Sequence, residues 1–308
     1  MLYTYCHVYS NIDKHKAVDI ITIDYNKAFD KVNHSILTRK LSRFIQNSFI
    51  NVISLLLQNR KQVVKIENSY SDGLPVTSGL PQGSILSPLL FNVFINDIFD
   101  IQLFNKIVVY ADDLKLFGYK LQNLQSDLDK LLEWSTDNKM YINIAKCEVL
   151  HLGTDNPNIV YLIENSQIPA TEHIKDLGLI VDQDLSFKHH TLYVNNKTRK
   201  LIGLLFKIFT SKNLEFYLKA YKTYILGILP IINYCAPLYG LNSAANRNVL
   251  ERIQRVFTRR LYKRLYPCAE RVSYNERLKE FSLIKIESSC TFGPIYFVQS
   301  NVLLLPFI

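Results

Sequence analysis

No two of the five cysteines form a CxxC pair: Cys6, Cys147, Cys235, Cys268 and Cys290 lie scattered through 308 residues. Their odd number and wide spacing exclude a disulfide framework and a cysteine zinc site, and suit a reducing compartment. The histidines, His189 and His190 included, lack companion ligands, so no metal is assigned to them. The start "MLYTYCHVYS" has no positive charge before an apolar run and no small-residue cleavage site, so no secretory leader is expected. An intracellular protein follows, in nucleus or cytoplasm; the cluster "RRLYKRLY" suits nuclear entry and a basic helix face equally well. Long uninterrupted apolar runs are missing too. The uncharged stretches 223–241 and 288–308 contain prolines and polar residues, and the run after Asn301 is too short to span a bilayer, so no membrane partner is expected.

What is present is charge, unevenly placed. Residues 197–287 hold 18 Lys and Arg against 6 Asp and Glu, whereas residues 1–196 hold 18 against 21. The local excess suits a polyanion, most simply a nucleic-acid backbone, or else a solvated basic face. Within it, "NRNVLERIQRVFTRRLYKRLYP" (246–267) reads as a helix with Val249, Ile253, Val256, Phe257 and Leu261 on its apolar side. Arg252, Arg255, Arg259 and Lys263 fall on the other side at spacings of three and four, a stripe able to track phosphates, and Pro267 ends the helix. An earlier helix, 121–138, buries Leu121, Leu124, Leu128, Leu131 and Leu132, and Asp127, Asp129 and Glu133 keep it acidic; only packing is expected of it.

The acids are concentrated in two other places. The β-branched run Val18–Ile23 reads as a buried strand that delivers Asp24 at its end. "VVYADDLKLF" (108–117) reads as a hairpin whose turn carries Asp112 and Asp113, where Asn-Gly or Asp-Gly would be usual. If the two strands are neighbours, three carboxylates meet; if not, the pair is a polar turn. Clustered carboxylates repel unless cations lie among them. Magnesium accepts oxygen ligands and completes its shell with water and phosphate. Two such ions about 4 Å apart would activate a hydroxyl and stabilise a departing pyrophosphate, which is polymerase chemistry.

A third segment, "SGLPQGSILSPLLFNVFINDI" (78–98), joins a Gly/Pro-rich loop to an apolar helix. With "DYNKAFDKVNHSIL" and "YADD" in this order, the chain resembles the palm of a reverse transcriptase of the non-LTR retrotransposon (LINE, jockey-like) kind. "KCEVLHLG", "IKDLGLIVDQDLSFKHH", "YCAPLYG", "LERIQRVFTRRL" and "YNERLKEFSL" extend the resemblance from about Asp19 to about Ile286.

The resemblance implies an α+β fold, an antiparallel polymerase palm backed by helices (1–185) and then a basic helical thumb and connection (186–287). It implies an RNA-directed DNA polymerase that adds deoxynucleoside triphosphates to a DNA primer on an RNA template, with two Mg2+ ions, or Mn2+ in their place. Asp24, Asp112 and Asp113 match the metal-binding acids, and Lys146 matches a lysine that protonates the leaving pyrophosphate. Phe29 matches the aromatic gate that rejects a ribose 2′-hydroxyl, which weighs against an RNA-copying RNA polymerase. Pro81, Gln82 and Gly83 match the loop supporting the incoming nucleotide, and Leu177 and Gly178 the hairpin gripping the primer end. Asp30 reads as structural, a partner for the following helix start, and Cys147 has no assigned task.

The chain also departs from the family. Only 23 residues precede Asp24, where relatives carry a fingers subdomain, so the fingers are expected to be missing. Residues 288–308 form an atypical uncharged tail where relatives continue with an arginine-rich helix, and no endonuclease, RNase H or zinc-knuckle pattern is visible. Two readings follow: a polymerase fragment with intact acids, or an inactive remnant that at most binds nucleic acid.

Overall fold

Val18, Ile20, Ile21 and Ile23 favour a pleated strand, and they form β1 (Val18–Ile23), buried along almost its whole length. The computed structural model describes residues 1–222, 228–239 and 243–286. In it β1 pairs on one side with Asp113–Gly118 (β3), which pairs in turn with Lys106–Tyr110 (β2), and on the other side with Glu148–Leu152 (β4). The sheet order is β2-β3-β1-β4, antiparallel throughout. A strand with partners on both edges and covered faces needs little polar alternation, and the sequence of β1 has little.

The first unit, Met1–Glu172, builds its core on this sheet. Helices Leu2–His15 (α1), His34–Leu41 (α2), Leu86–Ile95 (α3) and Leu121–Asp137 (α4) contribute Tyr5, Leu37, Phe91, Phe94, Leu124, Leu128 and Leu131, all fully buried. Each such side chain is worth about 1.5–3 kcal/mol of burial. Two polar clusters of this unit are paired. The Lys40 ammonium lies 2.7 Å from the Asp97 carboxylate, which also accepts from the Trp134 indole at 3.1 Å. Asp19 accepts from His151 Nδ1 (2.8 Å), Asn156 Nδ2 (2.7 Å) and the Tyr161 hydroxyl (2.6 Å), tying β1 to β4 and the segment beyond it.

Helix α4 corrects the expectation made for it. Leu132, expected in the buried set, is only half-buried, while Asp127 is completely buried. Its carboxylate accepts the backbone N–H groups of Phe104 and Asn105 and the Asn105 amide, each at 2.9 Å. Those amides precede β2, so the helix holds the strand's entrance.

The second unit begins at His173, so the hairpin expected within 1–185 belongs to it. His173–Asp176 (β5) and Leu179–Asp182 (β6) are joined by Leu177 and Gly178, at φ 46° and 90°. Positive φ at both positions is the tight-hairpin geometry that usually selects Asn-Gly. Behind the hairpin stands Lys188–Ile208 (α5), against which Ala244–Leu265 (α6) packs; Tyr274–Glu280 (α7) follows, opened by a Ser273–Glu276 capping box. The buried side of α6 is Leu250, Ile253, Phe257 and Leu261 with Gln254 and Thr258, whereas Val249 and Val256 are only partly covered. Gln254 is admitted because its amide reaches the Ile284 carbonyl (2.8 Å) and the Tyr274 hydroxyl (3.1 Å). Among the described residues no helix is long and apolar enough to cross a membrane. The tail 288–308, Cys290 and parts of 223–241 lie outside the described residues.

One histidine of this unit titrates abnormally. His190 is buried, its Nδ1 accepts the Ile180 N–H at 3.2 Å, and burial pushes it down to about 4 against the opposing pull of Asp182. The unfolded chain, with an ordinary imidazole near 6.5, therefore takes up the proton first as pH falls. Stability is expected to be full above about pH 6.5 and to decline by about 1.4 kcal/mol per unit toward pH 4, about 3 kcal/mol in all. Denaturant midpoints at pH 7, 6, 5 and 4.5 on the parent and on His190→Asn check this. Equal slopes for the two proteins would show that His190 is not the group responsible.

Candidate active site

Asp24 follows directly on β1, and the β1–β3 register carries it to the hairpin. Ile23 pairs with Leu114, so one further step of the same register sets Asp24 beside Asp113. Tyr110 pairs with Asp113, leaving Ala111 and Asp112 as the turn, with Ala111 at φ 53°. That conformation favours glycine and costs a residue with a Cβ about 1 kcal/mol or more. Asp112 is half-buried and Asp113 exposed at the hairpin's end.

The segment that follows α4 is laced to the same strand end. Asn26 N–H bonds to the Tyr141 carbonyl and Asn143 N–H to the Asp24 carbonyl, both at 2.8 Å. This places Lys146 Nζ 3.3 Å from Asp24 Oδ2. Oδ2 is shielded from solvent yet accepts no hydrogen bond; the ammonium is near enough to attract it but poorly aligned to bond it. Lys146 is mostly exposed, so the pair is weak and the lysine is free to swing. Cys147 beside it is fully buried, and burial pushes its thiol up, which gives it a packing role.

A second group of residues forms a cleft of about 440 Å3 lined by Phe29, Leu80, Pro81, Gln82, Gly83, Ser84, Ile85, Ser87 and Pro88. The Phe29 ring stacks on Phe91 at 4.2 Å, so one face belongs to the core and the half-buried remainder to the cleft. The loop is docked onto the chain after Asp24: Leu80 N–H bonds to the Phe29 carbonyl at 2.9 Å, Ser78 Oγ to the Asp30 carbonyl at 3.0 Å. Gln82 Nε2 donates to the Asp30 carboxylate at 3.2 Å, whereas the following helix is capped by Asn33, not Asp30. His34 Nε2 at 2.8 Å and Arg60 Nη2 at 2.6 Å both donate to the Gly79 carbonyl. His34, Arg60 and Gly79 are loop-holding residues that sequence reasoning missed, the Gly in "SGLPQG" being their one visible sign, and Asp30 is structural as read but holds this loop in place of the helix start.

Two glycines of this loop separate space from backbone strain. Gly79 and Gly83 have φ of 83° and 80°, but a Cβ on Gly79 would lie 2.6 Å from the Asp30 carbonyl oxygen, whereas one on Gly83 would meet nothing within 4 Å. Gly83→Ala is expected to cost about 1–2 kcal/mol, the price of a left-handed residue, and Gly79→Ala clearly more. Thermal unfolding of both variants decides; equal losses would mean the contact with Asp30 yields freely.

The backbone register sets Asp24 beside the Asp113 end of the turn, Lys146 lies at Asp24, and Phe29 separately shares a cleft with Gln82 and Gly83. Among the described residues no three His, Cys, Asp or Glu side chains close on a metal-sized point. Leu177 and Gly178 form the β5–β6 turn of the second unit, with Tyr234 donating its hydroxyl to the Leu177 carbonyl. Arg252, Arg255, Arg259 and Lys263 are all exposed on α6.

Comparison with known proteins bears on this geometry. The family model described as "Reverse transcriptase (RNA-dependent DNA polymerase)" matches residues 5–199. The chain is 24% identical over 264 residues to a probable RNA-directed DNA polymerase from transposon BS of Drosophila melanogaster, covering 80% of this chain and 29% of that protein. It is 25% identical over 255 residues to the RNA-directed DNA polymerase from mobile element jockey of Drosophila funebris, covering 78% and 28%. The chain thus spans under a third of the length of these relatives. Among solved structures it is similar to a Candida albicans telomerase in complex with a fragment of telomeric RNA, at 14% identity, 90% and 46% coverage and a TM-score of 0.49.

Proposed function

The chain belongs to the reverse transcriptase (RNA-dependent DNA polymerase) family, and from that membership we propose that it is the polymerase portion of a mobile element of the non-LTR kind. Its reaction is attack of a primer 3′-hydroxyl on the α-phosphate of a deoxynucleoside triphosphate, templated by RNA, with pyrophosphate leaving. The observation that carries this reading is the register setting Asp24 beside the Asp113 end of the hairpin, with Lys146 at 3.3 Å from Asp24.

The donor set fits a hard divalent cation: carboxylate oxygens only, one of them, Asp24 Oδ2, shielded and without a hydrogen bond. Asp24, Asp112 and Asp113 would hold Mg2+, two ions in the full reading or Mn2+ in their place. When bound, the metal supplies charge stabilisation for the attacking hydroxyl and the departing pyrophosphate. Lys146, solvated and loosely paired, is the proton donor to the leaving group. Phe29, clamped against Phe91, presents a rigid edge to the sugar, and Gln82 and Gly83 form the opposite side of its cleft. Leu177 and Gly178 contact the primer end, and the exposed cations Arg252, Arg255, Arg259 and Lys263 hold the duplex phosphates. The protein acts inside the cell, in nucleus or cytoplasm.

Primer extension on an RNA template, with Mg2+ or Mn2+ and labelled deoxynucleotides, tests the proposal. Extension is the expected result. No extension with salt-sensitive duplex binding retained would assign the chain to the binding-only remnant. In the active protein, Phe29→Val is expected to raise ribonucleotide use relative to deoxynucleotide use by about 10–100-fold. An unchanged ratio would remove Phe29 from nucleotide selection.

A further inference from the structure

Tyr274, the first residue of α7, lies within reach of two guanidinium groups. Arg255 of α6 is centred 4.9 Å from its ring and Arg277 of α7 5.7 Å. Arg259, one turn beyond Arg255, adds a third positive charge near Arg277. The three are unequal. Arg255 and Arg259 are exposed, but Arg277 is only 8% exposed. Its guanidinium is held in place by neutral acceptors, the Val272 carbonyl at 2.7 Å and, more loosely, Thr258 Oγ1 at 3.4 Å.

A buried guanidinium ordinarily has a carboxylate partner. Among the described residues neither Arg255, Arg259 nor Arg277 has one. Glu251, a buried acid of the same helix, stands at the hydroxyl end of Tyr274 and pairs with none of the three guanidinium groups: it accepts the Tyr274 hydroxyl and, at 2.9 Å, the Ile286 N–H. Burial first, then the charges of Arg259 and Arg255, hold Arg277 below the ordinary guanidinium range. Three like charges on one small area, one of them desolvated and fixed, form a site that a multivalent anion relieves.

We propose that Arg255, Arg259 and Arg277, arranged around Tyr274, form a built binding site for one phosphate group. Its natural source is a backbone phosphate of nucleic acid; that part rests on the reading of this chain as a nucleic-acid polymerase, and a free inorganic phosphate is the other source of the same chemistry. The site differs from the solvated stripe legible in the sequence, because Arg277 comes from another helix and is preorganised by burial.

The test uses the full chain. Binding of a labelled RNA–DNA duplex is followed by fluorescence anisotropy at several salt concentrations, and inorganic phosphate is titrated by thermal shift. The proteins are the parent, Arg255→Gln/Arg259→Gln, Arg277→Gln, Arg277→Lys, and a charge-matched control, Lys200→Gln/Lys207→Gln. Circular dichroism checks folding, and the exposed pair Arg255/Arg259 keeps the test decisive if Arg277→Gln unfolds. The expected result is a loss of duplex affinity of about 10–100-fold in the site variants, with the salt slope reduced by about 1. The control should lose much less, and Arg277→Lys should recover only part. Equal losses in site and control variants would overturn the built site, leaving diffuse charge. Unchanged binding in the site variants would overturn the site while the polymerase reading stands. Phosphate binding lost in the site variants, in a parent that ignores duplex, would keep the site and sink the nucleic-acid reading. A parent that binds neither overturns both.

Discussion

Asp112→Ala is expected to reduce primer extension by about 10^3-fold or more, equivalent to about 4 kcal/mol of transition-state stabilisation. Asp112 stands in a turn fixed by the Tyr110–Asp113 pairing and an Ala111 held at φ 53°. Its carboxylate is therefore presented by a rigid element, and truncation leaves the β2–β3 ladder intact. Thermal stability should change little, since the residue is half-buried at the tip and outside the core. Duplex affinity should be unaffected. Single-turnover extension compared with the parent gives the ratio directly. Activity within threefold of the parent would remove Asp112 from the chemistry, and a large fall in melting temperature would recast it as structural.

The second large effect is on stability. Asp127→Ala removes an acceptor that serves three N–H groups, each at 2.9 Å, from a site with no solvent exposure. Leaving two backbone amides and one hydrogen of the Asn105 amide without this acceptor at a partly buried strand entrance is expected to cost about 2–4 kcal/mol. For a unit of this size that corresponds to a melting temperature lower by roughly 10 °C. Asp127→Asn should recover only part, because one of its two side-chain positions is itself a donor. Asp129→Ala, two residues along and exposed, serves as the comparison and should stay within about 0.5 kcal/mol. If both variants melt alike, the hydrogen bonds of Asp127 are not what holds the start of β2.

The contrast between Asp127 and Asp129 also shows where the sequence was readable. Local patterns announced β1, the hairpin and the leucine face of α4, because periodicity and β-branching act on neighbouring residues. Nothing local distinguishes an aspartate that caps a distant strand from one that faces water. For the same reason Asp30 was assigned to the helix after it, whereas its carboxylate receives Gln82, far along the chain. Gln254 and Thr258 lay hidden on a helix read by hydrophobicity alone: the burial of Gln254 depends on the Ile284 carbonyl of another segment, and Thr258 is admitted by returning its hydroxyl to the Gln254 carbonyl one turn back. The candidate site was legible as residues, through ordered motifs, but its assembly depended on the β1–β3 register and on the bonds that draw Asn143 to Asp24. Arg277 gave no local sign of the role proposed for it, because only the folded chain reveals that, among the described residues, no carboxylate pairs with its guanidinium.

The placement of β1 also has a consequence for how the protein is made. Its residues 18–23 find partners at 114–118 and 148–152, so this largely apolar strand emerges from the ribosome long before either neighbour exists. At roughly 5–20 residues per second, that interval is on the order of 10 s. Through it Val18–Ile23 is an unpaired, aggregation-prone segment in search of edges, and nascent-chain binding factors are expected to occupy it until residue 152 has been synthesised.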